Sequence, residues 1–171
     1  MKNFYKKQAG FSLFIAVTVA GVLTIVAFTV TKIVTKSVEY ANIGKSSQIA
    51  FFAADAGVEC ALYYDSLEPS KFATSSSGSP ISCAGVSMAT SNAISGTSTT
   101  MRIGGGGDSN PTSYFGFTLN QGANPLTACV IVSVNKSYVG QILRTRVSSF
   151  GYNTCDTTSS RRIERGLEVT Y

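Results

Sequence analysis

The longest uncharged run of the chain extends over residues 11–31 and has the sequence FSLFIAVTVAGVLTIVAFTVT. As an α-helix at about 1.5 Å per residue it would be roughly 30 Å long, which is the hydrocarbon thickness of a bilayer. Three lysines precede the run without an acid, which favours a cytoplasmic N-terminus, although Lys32 and Lys36 on the far side weaken the asymmetry. Residues 11–31 are therefore predicted to cross a membrane once.

The helical pattern continues over residues 32–66, because no proline occurs before Pro69. Within this amphipathic half, apolar residues recur at helical spacing and predict a stripe that covers a sheet. The members of this stripe are Ile49, Phe52, Ala53, Ala56, Cys60, Tyr63 and Tyr64. A second stripe, formed by Phe51, Val58 and Leu62, predicts a contact with neighbouring chains. The alternative is that both stripes are buried within a larger monomeric fold.

Residues 67–171 combine Ser- and Gly-rich loops with stretches in which apolar and polar residues alternate. A period of two predicts half-buried β-strands. The predicted apolar positions are Phe115, Phe117 and Leu119; Val130, Val132 and Val134; Leu143, Thr145 and Val147; and Leu167, Val169 and Tyr171. The last two strands are predicted to be antiparallel partners whose outward arginines and glutamates pair. The predicted fold class is α+β, with one long N-terminal helix packed on a small antiparallel sheet.

The four cysteines are widely spaced, and none forms a C-x-x-C pair. This spacing favours two disulfides over a zinc site or a redox pair, and disulfides indicate an oxidising compartment outside the cytoplasm. Cys60 with Cys83 and Cys129 with Cys155 are the preferred pairs, because they would clamp a connecting loop to the helix and the terminal hairpin loop to a central strand. The other connectivities, and free thiols in a cytosolic protein, remain open at this stage.

Composition argues against several classes of function. Histidine is absent, which removes the commonest general base and metal ligand. Neither a nucleophile with a base, nor a pair of carboxylates in a pocket, nor a cluster of metal ligands can be assigned. We therefore expect no enzyme, no catalytic residue, no metal and no cofactor.

The net charge does not indicate a nucleic-acid-binding protein. It falls from +5 to +2 when the three lysines of the first ten residues are left out. The other basic residues are scattered, without a run interleaved with aromatic side chains. Specific binding of nucleic acid is not expected.

The segment KKQAGFSL, residues 6–13, resembles the processing site of type IV pilins and of type II secretion pseudopilins. The resemblance implies that residues 1–10 form a basic leader, that a prepilin peptidase cuts after Gly10, and that Phe11 becomes an N-methylated N-terminus. The segment AADAG, residues 53–57, resembles a stretch in a branch of minor pilins. The two matches together cover about the first third of the chain. A cleaved secretory signal and an ordinary single-span anchor are the competing interpretations of the same segment.

Membership of this family implies a fold, a location and partners. The fold is a helix with a globular β-sheet region, held in the bacterial inner membrane with a cytoplasmic N-terminus before assembly and part of an extracellular filament afterwards. The partners are other pilin subunits, the prepilin peptidase and the inner-membrane assembly machinery. Small residues at i, i+4 spacing, Ala16, Ala20 and Thr24, would allow close approach of neighbouring helices.

One residue departs from the family pattern. The fifth residue after the cleavage site is usually glutamate, which compensates the terminal amine of a neighbouring subunit, whereas this chain has Ile15. A charge in an apolar filament core needs such a partner. We therefore favour a minor subunit that occupies the filament tip. The alternatives are a pseudopilin of a type II secretion system and a single-span surface binding protein that does not polymerise.

Overall fold

The computed structural model of the chain describes residues 9–67, 71–73, 80–95, 97–104, 112–120 and 127–171. Its elements, in chain order, are helix α1 (Ala9–Leu67) and strands β1 (Ile81–Cys83), β2 (Val86–Met88), β3 (Thr112–Asn120), β4 (Thr127–Val139), β5 (Ile142–Tyr152) and β6 (Glu164–Thr170). A long N-terminal helix packed on antiparallel sheets gives the α+β fold that the sequence predicts. Helix α1 ends two residues before Pro69, as expected because proline cannot continue a helix.

The chain divides into two compact units, residues 1–44 and residues 45–171. The second unit, called the head below, contains the last turns of α1 and every described strand. Its main sheet has the order β3-β4-β5-β6, and each strand is antiparallel to its neighbour. Strands β1 and β2 form a separate hairpin whose turn places Ala84 and Gly85 at positive φ. The sheet is therefore a simple meander, in which each strand pairs with the next along the chain.

The predicted alternation places one face of the main sheet in the core. Phe115, Val132 and Val147 are fully buried, and Val132 pairs with Phe115 on one side and with Ser149 on the other. The predicted pairing of the last two strands is confirmed, with Val147 opposite Val169. On the outer face, Arg146 Nε lies 3.6 Å from Glu168 Oε1, as the pattern of charges predicts. Both side chains are more than half exposed, so this pair contributes little to stability.

Helix α1 covers the inner face of the sheet with its smallest residues. The buried positions of the helix within the head are Ala50, Ala53, Ala54, Gly57, Val58, Ala61 and Asp65. Four members of the predicted stripe, Ile49, Ala56, Cys60 and Tyr64, are partly buried and flank this core. The prediction that Phe52 and Tyr63 cover the sheet is wrong, because they are 65% and 57% exposed. Val58, assigned to the other stripe, is buried.

Close approach of the backbones explains this choice of residues. A Cβ atom added at Gly57 would lie 2.6 Å from Val130 Cγ1 and 2.9 Å from Val132 Cγ2. A Cβ added at Gly151 of β5 would lie among backbone atoms of the helix, including the carbonyl carbon of Ala53 at 2.9 Å. The two glycines therefore bring the helix so near the sheet that aromatic side chains do not fit between them.

Two disulfides tie the head together. Cys60 of α1 is bonded to Cys83 at the end of β1, with 6.0 Å between their Cα atoms. Cys129 of β4 is bonded to Cys155 in the segment between β5 and β6, with a Cα separation of 5.2 Å. These are the two pairs that sequence placement favours. The first fixes the small hairpin on the helix, and the second fixes the β5–β6 connection on a central strand.

The contact at Gly57 can be tested by one substitution made at two glycines of the same helix. Gly57→Val should lower the free energy of unfolding of the head by about 3 kcal/mol, because the new methyl groups overlap the valines of β4. At Gly44 an added Cβ meets nothing within 4 Å. Gly44→Val should therefore change that free energy by no more than about 0.5 kcal/mol. Denaturant unfolding, followed by tyrosine fluorescence, measures the free energy of unfolding of both variants. Equal losses in the two variants would contradict a close contact at Gly57.

Candidate membrane and assembly surface

The first unit presents an apolar helix surface that nothing in the described chain covers. Every residue from 11 to 44 is exposed, including Phe11, Leu13 and Phe14, whose exposed fractions are 73%, 69% and 65%. Helix α1 contains a window of mean hydropathy 2.6, long and apolar enough to cross a membrane, and none of this window is buried. Exposure of so many large apolar side chains to water is unfavourable. This surface is therefore suited to lipid or to other apolar helices, and it fits a single membrane span.

The threonines of the apolar segment do not interrupt this surface. The Thr24 hydroxyl donates to the carbonyls of Gly21 and Ala20 at 2.8 and 3.1 Å, and the Thr31 hydroxyl donates to the carbonyl of Ala27 at 2.8 Å. Thr18 and Thr29 bond the carbonyls three residues earlier in the same way. Because a hydroxyl in hydrocarbon must find a partner, these bonds leave mainly methyl groups at the surface of the helix.

The predicted processing site lies at the start of this helix. Gly10 and Phe11 are the second and third residues of α1, which begins at Ala9. Residues 1–8 of the predicted leader lie outside the described residues. Ala16, Ala20 and Thr24 follow at i, i+4 spacing along one exposed face of the helix. Ile15 is 46% exposed, so its side chain is available to a neighbouring molecule.

The outer face of the helix within the head is aromatic and acidic. Phe52, Tyr63 and Leu67 are between 57% and 65% exposed, and Phe51 is 44% exposed. Glu59 is exposed among them. The residues that cover the sheet are alanines and Gly57, at spacings of three and four. This spacing of small residues is the sequence signal for the inner face, and it leaves the aromatic residues on the outer face.

The tip of the β4–β5 hairpin is a second apolar surface that sequence reasoning missed. Tyr138, Val139, Ile142 and Leu143 are all exposed there, and Gly140 makes the turn with a φ of 67°. Among the described residues, β3 pairs with β4 as far as Asn135. On the other side, Thr145 of β5 still exchanges backbone hydrogen bonds with Tyr171, which follows β6. The tip therefore projects beyond the described parts of both neighbouring strands. Its alternation resembles that of a half-buried strand, so the sequence pattern alone predicted burial of Leu143.

A polar cluster of two buried residues and one half-exposed tyrosine joins the end of the helix to the sheet. The tyrosine is Tyr171, which is 52% exposed, so its predicted place on the apolar face of the last strand is wrong. Asp65 of α1 and Lys136 of β4 are 8% and 7% exposed, and Lys136 Nζ lies 2.5 Å from Asp65 Oδ1. Tyr171 follows β6, and its hydroxyl donates to Asp65 Oδ2 at 2.7 Å. Desolvation and the hydrogen bond to Asp65 raise the pKa of Tyr171 well above its usual range. The three residues are distant in sequence, so no local motif identifies this cluster.

Metal-site chemistry is not apparent in the described part of the chain. No group of three or more Cys, Asp or Glu side chains there is placed to hold a metal ion. All four cysteines are in disulfides.

The role of the apolar surface in membrane insertion can be tested with paired substitutions along the helix. Val22→Asp with Val26→Asp should abolish integral membrane association, because each acid costs about 2.5–3.5 kcal/mol at the centre of a span. Val34→Asp with Val38→Asp, at exposed valines beyond the predicted span, should leave it intact. Retention of the full chain in membranes after an alkaline wash measures the difference. Retention of the first variant would contradict a span over residues 11–31.

Comparison with known proteins adds no relative. The chain matches no protein-family model, no curated protein and no solved structure. Its function has to be inferred from the residues and contacts described above.

Proposed function

We propose that this chain is a structural subunit of a type IV pilin-like filament, processed by a prepilin peptidase and assembled through its N-terminal helix. The observation that carries the proposal is the exposure of the whole apolar segment 11–31, directly after the KKQAG sequence that resembles a prepilin leader. In a soluble monomer, exposure of such a surface to water would be unfavourable. In a pilin-like subunit, the apolar surface would contact lipid before assembly and the helices of neighbouring subunits afterwards.

The chemistry of such an assembly follows from this helix. Cleavage after Gly10 would leave Phe11 with a free α-amine at the start of an apolar helix. The stripe of Ala16, Ala20 and Thr24 would permit close packing of adjacent helices, since small residues let backbones approach. The head, held together by its two disulfides, would remain folded outside the cell, where thiols are oxidised.

We further propose a minor position for this subunit, at the filament tip. An α-amine buried among apolar helices requires an acidic partner, and Ile15 offers only a hydrocarbon side chain. A subunit at the tip has no subunit above it whose amine must be compensated. The aromatic outer face of the head helix and the apolar hairpin tip would then serve as contacts with the next subunit or with an external surface.

Processing at Gly10 is the decisive test of the proposed function. Mass spectrometry of the chain from its native membrane should find a mature protein that starts with methylated Phe11. Gly10→Val should block cleavage, while Gly21→Val, at a glycine whose surroundings are open, should leave cleavage unchanged. A mature chain that retains Met1 would exclude the pilin-like function and favour a plain membrane anchor.

The tip position predicts a specific effect of restoring the acid. The native chain, located by a label on the head, should be found at one end of each filament. Ile15→Glu should allow incorporation along the filament, whereas the same acid one turn later, Val19→Glu, should not. Uniform labelling of filaments by the native chain would show that Ile15 is compatible with internal positions and would exclude the tip assignment.

A further inference from the structure

The contact between Asp65 and Lys136 differs from the surface ion pairs of the chain. The side chains of Lys136 and Asp65 are only 8% and 5% exposed, whereas those of Arg146 and Glu168 are 62% and 55% exposed. The two residues are held on rigid elements, Asp65 near the end of α1 and Lys136 within β4, where it pairs with the buried Thr145 of β5.

The geometry of this contact is not that of a hydrogen-bonded salt bridge. Lys136 Nζ lies 2.5 Å from Asp65 Oδ1, yet that oxygen accepts no hydrogen bond. The other oxygen, Oδ2, accepts the hydrogen bond of the Tyr171 hydroxyl at 2.7 Å. The amine is therefore in close contact with the carboxyl group without the geometry of a hydrogen bond, while the Tyr171 hydroxyl donates to the other oxygen.

We propose that Lys136 and Asp65 become joined by an intramolecular amide bond between Nζ and Cγ, so that a covalent cross-link connects helix α1 to strand β4. The site takes no external ligand or cofactor. The bond would form within the folded head and needs neither membrane insertion nor assembly, so the proposal is independent of the proposed function.

The reaction is a condensation that balances without an oxidant or a co-reactant. In the first step, the ammonium of Lys136 transfers one proton to Oδ1 of Asp65, which gives an amine and a carboxylic acid in contact. The neutral amine then attacks Cγ, and the negative charge develops on Oδ2. A second proton passes from Nζ to the Oδ1 hydroxyl, which leaves as water when the C–O bond breaks. The products are one amide and one water molecule.

Tyr171 is the catalytic residue of this step. Its hydroxyl is already within hydrogen-bond distance of the oxygen on which charge develops, which is the arrangement of an oxyanion donor. Desolvation and the neighbouring carboxylate raise its pKa, so it remains a donor throughout the physiological range. An open pocket of about 440 Å³, lined by Glu59, Tyr63, Asp65 and Tyr171 among others, provides the route by which the water leaves.

The cross-link is detectable by peptide mapping of the full chain. Trypsin cleaves after Lys45, Lys71, Arg102 and Arg144, but it cannot cleave after an acylated Lys136. The reduced and alkylated digest should therefore contain peptide 46–71 linked to peptide 103–144, at the sum of the two masses less one water. Neither disulfide joins these two peptides. A digest containing only the separate peptides 46–71, 103–136 and 137–144 would overturn the proposal and leave a simple ion pair.

Three variants separate the bond from the fold. Lys136→Arg keeps the positive charge and should abolish the linked peptide, whereas Lys45→Arg, at an exposed lysine, should retain it. Tyr171→Phe should slow formation of the linked peptide on the order of 10²-fold in pulse-chase samples, by analogy with loss of one oxyanion donor. Circular dichroism confirms that each variant is folded. A linked peptide in Lys136→Arg, or an unchanged rate in folded Tyr171→Phe, would contradict the assigned roles.

Discussion

The close contact between helix α1 and the main sheet is the constraint on which the rest of the head depends. Gly57 and Gly151 remove the side chains that would otherwise separate the two backbones, and alanines fill the remaining contact positions. Since protein interiors are close-packed, a helix this near to a sheet has no room for aromatic residues on its inner face. Phe52 and Tyr63 are consequently displaced to the outer face, where they are available to other molecules.

The same contact aligns groups that would not otherwise meet. Along the helix, the Arg165 guanidinium donates to Ser47 Oγ at 2.9 Å, Cys60 is bonded to Cys83, and Asp65 meets Lys136 and Tyr171. The helix is thus attached to β6, to the β1–β2 hairpin and to β4 at three points along its length. The disulfide restricts the unfolded chain, and the three attachments together hold the register of the helix on the sheet in the native state. A covalent bond at Asp65 would make the attachment at the end of the helix permanent.

The two units have opposite relations to their surroundings. The head buries an apolar core between its helix and its sheet and contains two disulfides, whereas the first unit exposes its apolar side chains along the described helix. A hydrocarbon environment reverses the penalty for this exposure, because backbone groups are bonded within the helix and the threonine hydroxyls bond to its carbonyls. The first unit is therefore suited to a hydrocarbon environment, and the head is suited to water. This difference is the physical basis for our proposal that the first unit inserts into a membrane and assembles with neighbouring helices.

By itself, the sequence determined the features that depend on local pattern. Spacing and composition determine the uncharged run over residues 11–31 and the end of the helix before Pro69. They also determine the period of two in Val130, Val132 and Val134, and they favour the observed cysteine pairs. Hydrophobic periodicity did not identify the inner face of the helix, because size at the contact with Gly151 selects its residues. The spacing of the alanines and Gly57 marks that face, but the close contact that gives this spacing its meaning is a feature of the tertiary structure. The exposure of the hairpin tip likewise depends on how far the described parts of β3 and β6 extend along their neighbours. The cluster of Asp65, Lys136 and Tyr171 depends on the meander, which brings residues far apart in sequence to one end of the helix. No periodic pattern along the chain predicts that these three residues are in contact.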